Sequence, residues 1–395
     1  MPATVVFAHH GRDWIRGSEQ CLLDLVGHLD PGRYRPVVLC DQPMLARAAR
    51  ALGARAELVP DWGEGPRAPS SVRGAVSAYL RDAAATVVHA NATVTLPALV
   101  PAARALRVPV VAHLHLRTTR DDRLVSLLHQ ATVAVGVSEF AIAGLREEGM
   151  PPDAVRVIYN AVDVERLRGG DASGLRESLG IGPEELVLAG VGSIIERKGH
   201  DVTIRAAGAL NRRGVAAHLL LCGDGEEVPA LRALAHAEGV AGRVHFLGYR
   251  GDVGAVLREA VDVFVTSARE ETLGLNVLEA QALGLAVVAS DLPPHREAMV
   301  DGRTGLLVPV DAPDAVAEAV AALGADPARR AAMGAAGQVF TAERFSMARY
   351  VGEFTALYDE LRARPAGAYG WLGGSRWPRV YNRWLVGVAR RRLNR

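Results

Sequence analysis

Two short apolar runs, Val261–Val265 and Ala286–Ala289, enclose a loop and an amphipathic stretch that ends at Gly284. Leu275, Leu278 and Ala282 fall at helical spacing in that stretch, and Gly284 suits a helix C-terminal cap. A helix held between two buried strands is one turn of an alternating β-α-β pattern. Repeated along a chain, that pattern predicts parallel, doubly wound sheets.

The alternation runs through most of the sequence. Strands are expected at Thr4–Ala8, Arg35–Cys40, Thr86–His89, Pro109–Ala112 and Thr132–Val137, with helical runs between them, and Val155–Asp163 closes the series as a strand. A weakly patterned, glycine-rich segment follows, Arg166–Gly174. A second series opens with Leu186–Val191, Ala217–Leu221 and Val244–Phe246. The fold class expected is α/β, with two Rossmann-like domains facing across a cleft. These are residues 1–165 and 185–345, joined by a linker at 166–184. A helix at 346–365 is expected to cross back to the first domain, ahead of a basic tail at 366–395. Ligands on such sheets bind at the carboxyl ends of strands. Gly17-Ser18, His89-Ala-Asn91 and His113-Leu-His115 lie at those ends.

Within the opening stretch, Glu271 and Glu279 are separated by seven residues. The first helical turn, from Leu275 to Val277, has amide N–H groups without intrahelical partners, and with the helix dipole they form an anion site. Glu271 precedes that site, and Glu279 lies about one turn inside the helix, leaning back toward it. A phosphate joined to sugars on both sides would suit an anion site flanked by two carboxylates. A helix-start acid and a solvated surface glutamate would show the same spacing, so spacing alone leaves both readings open.

The chain has 45 lysine and arginine residues, of which Lys198 is the only lysine. A lone lysine points to a position where a compact ammonium does what a guanidinium cannot. Lys198 follows Arg197 in the loop after Leu186–Val191, where two cations and loop glycines would neutralise a diphosphate. His115 ends its strand on the side expected to meet ligand, suited to hydrogen-bonding a sugar hydroxyl, with His113 expected to point the opposite way.

A net charge of +1 gives no ground for nucleic-acid binding. Cys21, Cys40 and Cys222 have no paired spacing, which suits a reducing, cytosolic setting. The N-terminus lacks the pattern of a signal peptide, and no run has the length of a membrane span. From Leu361 onward there are nine arginines, no acids, and Trp371, Trp377 and Trp384. That composition predicts contact with the inner face of a membrane, or a tail packed on the body. The dinucleotide fingerprint G-x-G-x-x-G is incomplete at Gly11 and Gly17 and at Gly190-Val-Gly192, and no P-loop precedes Lys198.

The stretch Glu271-Thr-Leu-Gly-Leu-Asn-Val-Leu-Glu-Ala-Gln-Ala-Leu-Gly284 resembles the E-x7-E motif of the retaining glycosyltransferases of family 4, which have the GT-B architecture. Similar too, in order, are Arg16-Gly-Ser-Glu19, Asn160 to Asp163, Lys198-Gly199, Gly223-Asp-Gly225, Phe246-Leu-Gly248, Val287 to Ser290, Glu297 and Gly302 to Val308. The resemblance implies a retaining transfer of a sugar from a nucleotide-diphosphate sugar to an acceptor hydroxyl, without metal or cofactor. The acceptor's identity is left open, lipid-linked compounds and polysaccharides being candidates, and no Asp-x-Asp pair sits where a metal would need it.

The resemblance also implies roles. Glu271 meets the donor sugar, Glu279 the ribose hydroxyls, and Lys198 the diphosphate. His115 lies near the donor sugar's hydroxyls, so the catalytic set is His115, Lys198 and Glu271. Donor binding takes in Gly17, Gly192, Arg197, Lys198, Arg250, Gly274, Leu275, Asn276 and Glu279; acceptor binding takes in Gly17, Ser18 and Asn91. Three positions depart from the family pattern: Ser193 where arginine is common, Arg16 in place of a loop glycine, and Ala161 after Asn160. Arg197 is the candidate to replace the missing cation. The same residues admit a nucleotide-sugar epimerase, or a non-catalytic sugar-nucleotide-binding partner subunit.

Overall fold

The computed structural model describes residues 2–59, 62 and 68–364. The tail at 366–395, and with it the expected membrane contact, lies outside the described residues. The chain divides into two compact units: residues up to Asn160 together with the helix that begins at Met347, and Ala161–Ser346.

In the first unit the strands are β1 (Ala3–His9), β2 (Tyr34–Cys40), β3 (Arg55–Leu58), β4 (Val87–Ala90), β5 (Val110–Leu114), β6 (Val133–Gly136) and β7 (Val155–Val157). They form a parallel sheet in the order β3-β2-β1-β4-β5-β6-β7. β1, β4, β5 and β6 are buried at every position, which is why they read as unbroken apolar runs rather than as alternating ones. The strand expected over Val155–Asp163 stops at Val157, and beyond Asn160 the chain belongs to the second unit.

The second unit repeats the plan with β8 (Leu186–Val191), β9 (Ala217–Cys222), β10 (Val244–Gly248), β11 (Val263–Thr266), β12 (Ala286–Ser290) and β13 (Leu306–Val308), all parallel in the order β10-β9-β8-β11-β12-β13. Strand order reverses between β1 and β4 in one sheet and between β8 and β11 in the other. Loops leaving neighbouring strands part at those points, which is where ligands of such sheets bind. Both units thus build the GT-B architecture.

The segment 166–184 is not a free linker. Leu167 is 3% exposed, Arg176 pairs with Asp262 at 2.6 Å, and an added Cβ on Gly170 would meet Asp252 at 3.0 Å. Its glycines mark turns packed onto the second unit, and that composition alone looks like a linker.

The helix Met347–Ala363 closes the core of the first unit. Tyr350, Phe354, Leu357, Tyr358 and Leu361 recur at helical spacing and are all buried. The Phe354 ring lies 5.1 Å from both His89 and His113, and Tyr358 Oη is 2.6 Å from His89 Nδ1. Arg156 grips Glu360 through two bonds of 2.7 and 2.8 Å. Phe354→Ala is expected to destabilise this unit by about 3–5 kcal/mol. Urea unfolding followed in the transition that carries the first unit checks this, and a loss under about 1 kcal/mol would show the helix to be outside the cooperative core.

Candidate active site

Of the residues singled out in the second unit, Gly192, Arg197, Lys198, Glu271 and the start of the helix at Leu275 follow the carboxyl ends of β8 and β11, whereas Arg250 follows β10. The loop after β8 ends in a single turn, Glu196–Lys198, followed by Gly199 at φ 63°. A Cβ on Gly199 would sit 1.9 Å from the Ser267 carbonyl oxygen, so only glycine lets this loop lie against the segment leaving β11. Arg269 N and Nη1 bond the carbonyls of Arg197 and Glu196, each at 2.8 Å, closing the two loops together. The result is an ion pair between Lys198 Nζ and Glu271 Oε1, with side chains 14% and 11% exposed.

Gly274, at φ 85°, precedes the helix Leu275–Ala282. A Cβ there would meet the buried His295 ring at 3.0 Å. The amides of Leu275 and Asn276 come before the first intrahelical bonds, which Val277 and Leu278 donate to the Gly274 carbonyl. The side chain of Asn276 ties this helix start to β8 by donating to the Val191 carbonyl at 2.9 Å. Backbone donors and the positive end of the helix dipole thus lie close along the chain to Glu271.

The two glutamates differ electrostatically. Burial pushes the Glu271 carboxyl up, but the Lys198 ammonium outweighs it and holds the group below its usual range. Burial pushes Glu279 up, and Arg166 only partly reverses that, at 3.2 Å from Oε1. Glu279 is therefore an acceptor whose charge depends on its partner. Arg250 is held by Asp252 through bonds of 2.8 and 2.5 Å, and the exposed Arg197 reaches the Glu270 carbonyl at 3.4 Å. Gly192, at φ 138°, opens the loop that carries Lys198.

In the first unit the residues at the ends of β1, β4 and β5 make one connected set. Gly17 begins the helix Gly17–His28, and Glu19 in its first turn accepts from His9 at 3.0 Å and from the Ser18 hydroxyl at 3.2 Å. Asn91 reaches His9 Nδ1 at 2.9 Å, the Ser18 carbonyl at 3.1 Å and His115 Nε2 at 3.0 Å. Burial raises the Glu19 carboxyl, but the hydrogen bond from His9 and those from the Glu19 and Arg16 amides outweigh it and hold the group at about 2.

His113 does not point away from His115. Their ring centroids lie 4.2 Å apart, because residues two apart on a strand share a face. His113 belongs to a second buried set, with His89 Nε2 at 3.2 Å and Tyr358 beyond it.

The structure brings Lys198 to Glu271, His115 to Asn91, and Asn91 to Ser18. It also adds Arg166, His9 and Glu19, which residue patterns did not single out. Arg166 stands 113 residues from Glu279, so no local spacing could reveal it. Glu19 could have been found as an acid in a first helical turn beside a strand-end histidine.

Residues 15–166 match the family model described as Glycosyltransferase Family 4, and residues 172–340 match the one described as Glycosyl transferases group 1. The alpha-maltose-1-phosphate synthase of Mycolicibacterium smegmatis is 32% identical over 319 residues, covering 71% of this chain and 80% of that protein. The D-inositol 3-phosphate glycosyltransferase of Saccharomonospora viridis is 36% identical over 222 residues, covering 54% of this chain and 51% of that protein. The chain thus spans about half the length of relatives of that kind. Among solved structures, Anabaena HepE in complex with UDP and glucose superposes with a TM-score of 0.80 at 20% identity, covering 91% of this chain and 100% of that one.

The lowered Glu19 carboxyl stabilises the folded state fully above about pH 4.5, and that contribution is lost as pH falls toward 2. Glu19→Gln is therefore expected to flatten the acid limb of the stability curve, by about 1.5–3 kcal/mol for the lost charged bonds. Urea midpoints at pH 6 and pH 3 check the sign. An acid limb as steep as that of the wild type would contradict it.

Proposed function

The chain belongs to the family 4 glycosyltransferases, and from that premise we propose that it moves a sugar, with retention, from a nucleotide-diphosphate sugar to an acceptor hydroxyl. The observation that carries this reading is the Lys198–Glu271 pair beside the amide-bearing start of the helix Leu275–Ala282. An ammonium and a helix N-terminus are what a departing diphosphate needs, and a carboxylate beside them suits a sugar hydroxyl.

In this reading Lys198 exchanges Glu271 for the diphosphate, and Glu271 turns its freed oxygens to the donor sugar. Glu279, with Arg166 beside it, accepts from the ribose hydroxyls. The bond from the anomeric carbon to the phosphate oxygen breaks, and the acceptor oxygen bonds the same face of that carbon. The leaving phosphate takes the acceptor's proton. Positive charge in this account comes from Lys198 and the backbone amides, with no call on a metal. Gly17, Ser18 and Asn91 in the first unit serve the acceptor.

UDP bound to HepE makes uridine diphosphate sugars the first donors to test. Phosphorylated polyols and sugars are the first acceptors to test, because two relatives are a D-inositol 3-phosphate glycosyltransferase and an alpha-maltose-1-phosphate synthase.

Two measurements test the reading. Among nucleoside diphosphates, the matching one is expected to raise the apparent melting temperature, by an amount set by its concentration over Kd. With that donor, Lys198→Ala and Glu271→Ala should each lower turnover at least about a hundredfold, as loss of groups that stabilise developing charge does. Glu279→Gln should raise the donor KM by about tenfold with a smaller change in kcat, the mark of a binding contact. Clear binding of sugar nucleotides with no turnover would replace the transferase reading with a binding subunit. Isomerised sugar released without acceptor would replace it with an epimerase.

A further inference from the structure

We propose that Glu19, His9 and Asn91 form a one-way hydrogen-bond relay that holds His115 with its proton on Nε2 and its Nδ1 lone pair offered to a hydroxyl of a bound ligand. That the hydroxyl belongs to a sugar or acceptor rests on the function proposed above; the direction of the relay does not.

The placement follows from the sheet. β1, β4 and β5 are consecutive neighbours, roughly 4.8 Å apart. His9 ends β1, Asn91 follows β4 and His115 follows β5, so their side chains stand in a row. The first turn of the helix after β1 adds Glu19. His9, Glu19 and Asn91 are 3%, 4% and 2% exposed, so water does not take over their bonds.

Two groups that can only accept set the direction. The Glu19 carboxylate lies 3.0 Å from His9 Nε2, so that nitrogen carries the proton. The Ser18 carbonyl lies 3.1 Å from the Asn91 side-chain amide, so Nδ2 and not Oδ1 faces it. The same NH2 group supplies its second proton to His9 Nδ1 at 2.9 Å, which requires a neutral His9 with its lone pair there. Both anchors thus agree on the orientation of Asn91. Its Oδ1 must then face His115 Nε2, at 3.0 Å, and His115 must donate.

His115 Nδ1 is left as an acceptor, and among the described residues no group bonds it. Burial, with the neighbouring His113, keeps the ring's pKa well below the usual histidine value, so it is neutral at pH 7. A neutral ring with an exposed lone pair accepts from a hydroxyl and repels the oxygens of a phosphate or carboxylate, which have no proton to give. His115 thereby selects a hydroxyl-bearing portion of its ligand, and Glu19, His9 and Asn91 are positioning residues that act through it.

The test is a long-range 1H–15N correlation spectrum of the full chain labelled with 15N-histidine, at pH 7 without ligand. The His115 signals are assigned by their loss in His115→Gln. The relay predicts a protonated Nε2 and an unprotonated Nδ1 for His115. In Asn91→Leu, which keeps the volume and removes both polar atoms, His115 is expected to shift toward a mixture of tautomers, with kcat down at least about tenfold where turnover is measurable. A wild-type His115 protonated on Nδ1 overturns the proposal, and so does an unchanged tautomer in a folded Asn91→Leu protein. Should that variant fail to fold, the wild-type spectrum decides alone. Because the spectrum is read without substrate, absence of turnover with every sugar nucleotide overturns the functional reading and leaves the relay to be judged by the tautomer.

Discussion

A charge pair withdrawn from water at the end of a parallel sheet is the constraint on which the chemistry of the second unit depends. Lys198 and Glu271 are both largely buried, and removing either would leave the other charge uncompensated, a loss of about 3–5 kcal/mol in comparable pairs. A pair of well-packed apolar residues would often stabilise the protein as well or better. Its presence therefore fits a site that must hold separable charges better than one built for stability. The chain uses arginine at every other basic position and lysine here. An ammonium is a compact point charge on a flexible stem, and it can leave one oxygen partner for another without the planar match that a guanidinium prefers.

What places that pair is backbone geometry rather than side-chain affinity. Gly199 allows the β8 loop to touch the Ser267 carbonyl, and Gly274 turns the chain into a helix beside the His295 ring. A Cβ at Gly199 would overlap the Ser267 carbonyl outright, and one at Gly274 would press on the His295 ring from a backbone conformation that favours glycine. In the first unit the same sheet logic works with different parts. Strand-end polar groups line up along β1, β4 and β5, and a buried helix seals the sheet behind them through Phe354 and Tyr358. The two histidine sets there divide the labour: His89 and His113 anchor the helix, while His9 and His115 run toward the strand-end loops.

Much of this was legible from residues alone. Buried parallel strands show as unbroken Val, Ala and Leu runs, and the alternation with helices settles both sheets. Lys198 and Glu271 stood out through rarity and spacing. The parts that did not show depend on contacts distant in sequence or on face assignment. Arg166 was hidden in a glycine-rich stretch that reads as a linker, and only packing of Leu167 and Arg176 onto the second unit reveals its place. The direction of the Glu19–Asn91 relay requires knowing which atoms face the Ser18 carbonyl. His113 shares the face of His115, as the period of a strand requires, and not the opposite one.

Because Lys198 is the only lysine, its ammonium can be watched without interference. The most direct test of the account is the NMR signal of a lysine labelled with 15N at Nζ, recorded as uridine diphosphate and other nucleoside diphosphates are added. The account predicts one signal from the protein, moving saturably with the nucleotide that binds, as the ammonium exchanges Glu271 for phosphate. Saturable nucleotide binding, seen elsewhere in the protein, with the lysine signal unmoved would contradict it.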